Sequence, residues 1–92
     1  MRHLELPSFV KSLQKLSPED KNKAKKAIRQ LTDAFQAQTI PPGLGLKKIS
    51  PSLWELRVDL RLRVIFVLEE DLVKWSFVGN HDDVQRLIRS NR

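Results

Sequence analysis

The hydrophobic period of this chain changes once, and that change sets its fold class. From Pro18 to Gln38 the apolar residues Ala24, Ala27, Ile28, Leu31 and Phe35 recur at helical spacing. Further on, LWELRVD, LRLRVIFVLEE and LVKWSFVG alternate or run apolar and are rich in β-branched and aromatic residues, the pattern of three strands. Between the two regimes lies TIPPGLGL (residues 39–46), whose prolines and glycines make an irregular connector. It is not a phosphate loop, because neither the glycine spacing nor a following helix fits one.

The ends complete the order. MRHLEL alternates weakly and reads as a first strand, which Pro7 stops. SFVKSLQKL follows as a short helix with Phe9, Leu13 and Leu16 on one side. The next segment, SPED, is a helix start: Ser17 caps, Pro18 suits the first turn, and Glu19 and Asp20 face the positive end of the helix dipole. The last segment, HDDVQRLIRSNR, has helical spacing at Val84, Leu87 and Ile88, with His81 or Asp82 near its start. Short turns near Asp59–Leu60 and through Glu69, Glu70 and Asp71 make the three strands an antiparallel meander. The expectation is an α+β single domain over residues 1–92, in the order β-α-α-β-β-β-α. Its twisted, mainly antiparallel sheet has about four strands, with a helical hairpin on one face.

Charge narrows the partners. Seventeen Lys and Arg against 11 Asp and Glu give +6 at pH 7, which favours a polyanion. With no cysteine there is no disulfide, thiolate metal site or cysteine nucleophile. No apolar stretch is long enough for a signal peptide or a membrane span, so a cytoplasmic protein without membrane contact is expected. The lysines of the long helix, Lys21, Lys23, Lys25 and Lys26, with Arg29, fit a solvated face.

Strand alternation sorts the remaining polar residues. Trp54, Leu56 and Val58 share a side, as do Leu62, Val64, Phe66 and Leu68, and Val73, Trp75 and Phe77. If these lie under the hairpin, Glu55, Arg57, Arg61 and Arg63 project from a helix-free face, with Lys47 and Lys48 just before them and His81 at the end of the last strand. Cations, one carboxylate and one imidazole on one face suit a phosphodiester. Glu55 and Arg63 equally fit a cross-strand ion pair on a wet sheet face.

The combination of GLKKI, LWELRVDLRLRVIFVL and FVGNHDDVQRLIRS, with the hairpin before it, resembles the RelE/ParE superfamily of toxins from bacterial toxin–antitoxin modules. The resemblance covers nearly the whole chain. It implies a ribosome-dependent endoribonuclease that cuts mRNA through attack by the RNA's own 2′-hydroxyl, with no metal and no other cofactor. The implied partners are mRNA, the ribosome and a cognate antitoxin protein. By the same resemblance Arg63 is the phosphate clamp, His81 the general acid or a phosphate contact, and Glu55 a base. Lys47, Lys48, Arg57, Arg61, Arg86 and Arg89 are the expected RNA contacts. The ParE branch, which acts on DNA gyrase, and an inactive protein-binding module of the same fold are the alternatives.

Overall fold

A computed structural model describes residues 1–90. The order is β1 (Arg2–Glu5), α1 (Pro7–Gln14), α2 (Pro18–Ala37), β2 (Leu46–Lys48), β3 (Leu53–Arg57), β4 (Leu62–Glu69), β5 (Leu72–Asn80) and α3 (His81–Ser90). The final two residues of the expected terminal helix, 91 and 92, lie outside the described residues. The strands form one sheet in the order β1-β5-β4-β3-β2, antiparallel except for the parallel pair β1–β5.

The sheet has five strands, not about four. The additional one, β2, begins at the end of the expected connector and pairs Lys47 with Glu55 and Lys48 with Trp54. Three residues between glycine-rich and proline-containing loops are too few to show alternation, so β2 has no sequence signature of its own.

The helix signals hold. Ser17 caps α2 through Oγ, which accepts from the Asp20 amide at 3.1 Å. At the other end Gln38 adopts φ 58° and its amide reaches back to the carbonyls of Ala34 and Phe35. The hairpin packs on the sheet face made of Leu56, Leu62, Val64, Phe66, Val73 and Trp75. Phe66 holds the centre, with Trp75 at 5.2 Å and the Phe35 edge at 6.4 Å between ring centroids. Full burial of each such side chain contributes about 1.5–3 kcal/mol.

Two departures from simple alternation shape the rest. First, β5 carries a bulge: Ile65 pairs with Phe77 but Phe66 pairs with Trp75, so Ser76 is the extra residue. Beyond it the faces swap. Val78, expected on the open side, is buried in the core beside Val64, and Phe77, expected in the core, joins Ile65 on the other face. Second, the opposite face is not free of helices. Helix α3 folds back over β4 and β5; Val84 and Ile65 are both buried, and Leu87 and Ile88 line a hollow with Ile65 and Val67.

Helix α1 completes the edge that β1 leaves open. Beyond Glu5, the Leu6 amide donates to the Trp75 carbonyl, Ser8 Oγ donates to the Ser76 carbonyl, and Ser12 Oγ accepts from the Val78 amide at 3.0 Å. No described helix is long and apolar enough to cross a membrane.

Candidate nucleic-acid interface

Two rows of side chains cross the sheet on the face away from the hairpin. One runs Gly45, Arg57, Arg63, Gly79, and the next runs Lys47, Glu55, Ile65, Phe77. The glycines bracket the arginines for steric reasons. Gly45 has φ +78°, and a Cβ there would lie 3.1 Å from the Arg57 Cβ. A Cβ on Gly79 would lie 2.7 Å from the Phe77 ring and 3.2 Å from the Asp83 Cβ. Phe77 therefore lies against bare backbone at the point where β5 passes into α3.

Arg63 and Glu55 sit at the centre, and the structure brings them together on the diagonal between strands. Arg63 Nε lies 4.0 Å from Glu55 Oε2, while Nη1 donates to the carbonyls of Asp59 at 2.5 Å and Leu62 at 3.3 Å. Arg63 is only 7% exposed, which corrects the expectation that it projects freely from the sheet. A guanidinium removed from water needs acceptors, and the turn carbonyls and Glu55 supply them. Among the described residues, no buried side-chain nitrogen or oxygen lacks a partner. The cations of this face that remain exposed are Arg57 and Lys47.

Two expected contacts lie elsewhere. Arg61 is turned toward the hairpin, where Nη2 meets Asp20 at 3.4 Å. The cause is the β3–β4 turn: Asp59 Oδ1 accepts from the amides of Leu62 at 2.7 Å and Arg61 at 2.8 Å, so Arg61 is a turn residue rather than part of the strand. Those two amides, led by Leu62, and Lys23 at 3.5 Å hold the Asp59 carboxyl below the usual carboxylate range. Lys48 is on the hairpin side of β2, its ammonium 5.7 Å from the centre of the Trp54 ring. Strand parity separates it from Lys47.

At the end of β5, Asn80 Oδ1 accepts from the Asp83 amide and caps α3, leaving His81 exposed on its first turn. His81 follows Gly79 by two residues, and Gly79 pairs directly with Arg63. The backbone of His81 therefore begins α3 just past the end of the arginine row. Arg86 is held by Asp83 on the first turns of α3, and Arg89 Nε donates to the Gln85 carbonyl at 3.3 Å; both stay exposed.

Solved structures share this fold. A chain of the RelB–RelE antitoxin–toxin complex from Methanococcus jannaschii matches with a TM-score of 0.67 over 91% of this chain and 96% of that one, at 16% identity. The fold is that of the RelE toxins. The E. coli DinJ–YafQ complex contributes a RelE-like match at TM-score 0.65 and 17% identity, covering 91% of this chain and 98% of the other. The YoeB dimer from Staphylococcus aureus gives 0.63 and 15%, covering 88% and 97%. No protein-family model and no curated protein sequence matches the chain.

On this RelE-like scaffold Glu55, Arg57, Arg63 and Lys47 share one face and His81 opens the helix that follows β5, while Arg61 and Lys48 are directed away from that face. Sequence reasoning passed over Gly45, Phe77 and Gly79, which frame the arginines. Gly79 stands in the quoted segment FVGNH, but its role becomes visible only once the bulge has turned Phe77 outward.

Proposed function

We propose that this chain is the toxin of a toxin–antitoxin pair and cuts mRNA on the ribosome. The observation that carries the reading is the Arg57–Arg63 row with the Glu55 carboxylate on one RelE-like sheet face; to that site we add the exposed His81, which opens α3 two residues after Gly79. The neighbouring RelB–RelE and DinJ–YafQ structures are toxin–antitoxin complexes, which supports an antitoxin as the resting partner.

Each group has a chemical task in that reaction. Arg57 and Lys47, both exposed, hold the scissile phosphate and offset charge on the phosphorane. Glu55 takes the proton as the 2′-oxygen attacks phosphorus. The bond to the 5′-oxygen breaks, and His81 supplies that oxygen with a proton. Arg63 keeps Glu55 in place and adds fixed positive potential beneath the phosphate, a positioning part in place of the free clamp that the sequence suggested. Arg86 and Arg89 extend the cationic surface along α3.

A second reading rests on one specific observation: the Arg63 guanidinium is already occupied by two carbonyls and a carboxylate, so its conformation is explained without RNA. This favours a toxin or binding module directed at a protein, with the same face used for contact.

Cleavage of a defined message on translating ribosomes, followed by primer extension, separates the two. Wild-type protein produces discrete cuts, and His81→Ala lowers the cleavage rate by about 10²–10⁴-fold without changing the melting temperature. The nuclease reading is lost if the wild type leaves the message intact, or if His81→Ala arrests growth as fast as the wild type. Retained toxicity with gyrase-dependent DNA damage is the result expected of the second reading.

A further inference from the structure

Among the described residues no strand pairs with the outer edge of β1, and all four of its residues are exposed. The amides of Arg2 and Leu6 donate to the carbonyls of Asp71, just before β5, and of Trp75 on β5. In a parallel ladder alternate residues turn their amide and carbonyl to the same neighbour, so His3 and Glu5 present both groups outward. An edge of this kind is a template for another strand.

We infer that β1 pairs antiparallel with β1 of a second copy of this chain, joining two five-stranded sheets through a two-fold axis. In such a pair, opposed residues point to the same side of the sheet, so a residue must face one of equal parity. Centring the axis on Leu4 sets His3 against Glu5 of the other copy and Glu5 against His3. These are the two positions with outward amides and carbonyls, so the same register that closes the hydrogen bonds also sets imidazole opposite carboxylate twice. Leu4, 47% exposed, meets its own symmetry mate.

The geometry around His3 favours this occupant. The imidazole stacks parallel on Trp75, with centroids 6.1 Å apart and planes 5° apart, which fixes it over the edge instead of leaving it mobile in solvent. The side chains around the two hollows beside it include Met1, Ile28, Thr32, Phe35 and Gln36, none of which is charged, and Glu5 of its own strand is the one carboxylate there. Four residues a side make a small contact, so the dimer is weak, with a dissociation constant on the order of 10–100 µM.

Sedimentation velocity tests the pairing on the full chain, at about 0.3 M salt so that the +6 charge on each copy is screened. Wild-type protein is expected to shift reversibly from monomer to dimer as concentration rises across that range. Glu5→Lys leaves a monomer, and adding His3→Glu to it restores the dimer by exchanging the charges. Glu5→Pro removes an outward amide while leaving the β1–β5 ladder intact, and also gives a monomer; unchanged circular dichroism verifies its fold. The inference is overturned by a wild type that stays monomeric, by a dimer that survives Glu5→Lys or Glu5→Pro, or by a double variant that does not recover. Ribosomal cleavage is read separately, so neither result stands in for the other.

Discussion

Replacing Ser12 by alanine tests the account of how α1 takes over the sheet edge. Ser12 Oγ accepts from the Val78 amide at 3.0 Å and donates to the Phe9 carbonyl at 3.0 Å, and the residue is 8% exposed. The β1 strand ends at Glu5, so Val78 has no strand partner on that side. Alanine strands a buried N–H, which costs about 1–3 kcal/mol. The better helix propensity of alanine returns about half a kilocalorie. The net loss is about 0.5–2.5 kcal/mol, and at this chain length each kilocalorie lowers the midpoint by roughly 4–8 °C. Thermal unfolding followed by circular dichroism should therefore show a fall of roughly 2–20 °C. Hydrogen exchange should show lost protection at the Val78 amide specifically. Ser8→Ala is the control, because its bond to the Ser76 carbonyl is exposed and water replaces it. If Ser12→Ala melts within about 2 °C of the wild type, or costs less than Ser8→Ala, the buried amide is not being satisfied as described.

Three further outcomes follow from the geometry. Gly79→Ala drives a methyl into the Phe77 ring and should destabilise by about 1–3 kcal/mol in a urea titration, whereas Gly43→Ala meets no side chain and suffers only from its φ of +83°. Gln38→Gly relieves a left-handed residue at the end of α2 and should stabilise by up to about 1 kcal/mol, read as a higher denaturation midpoint. Asp59→Asn keeps one acceptor for the turn amides but loses the charge. Because the folded carboxyl titrates below its unfolded value, the wild type should be the more stable above the unfolded pKa of about 3.9, with the difference vanishing as pH falls through the folded value. Unfolding midpoints of the two proteins between neutral pH and strongly acidic pH measure this.

Much of the architecture was written in local chemistry. Ser17, Pro18 and the acidic first turn fix the start of α2, and the alternation of Leu62, Val64, Phe66 and Leu68 fixes which face of β4 meets the hairpin. Non-local pairing was not legible in this way. A bulge at Ser76 leaves no mark on composition, yet it reverses Phe77 and Val78 and so creates the surface beside Arg63. Likewise, parity placed Arg61 with Arg63, because counting residues cannot show that Asp59 will cap the intervening turn and direct Arg61 toward Asp20. Burial of Arg63 depends on the carbonyls of that same turn, a relation between backbone positions rather than residue types.

The pairing of β1 with β5 governs when the chain can finish folding. Arg2 finds its ion-pair partner 69 positions further along, so loop-closure entropy opposes that contact until the meander exists to receive it. During synthesis, the opening residues must wait in the company of a helical hairpin that has no sheet to lie on. A chain cut short before Leu72 keeps the β3–β4 part of the hairpin's bed but lacks Val73, Trp75 and Val78 of the core and the strand against which β1 and α1 lie.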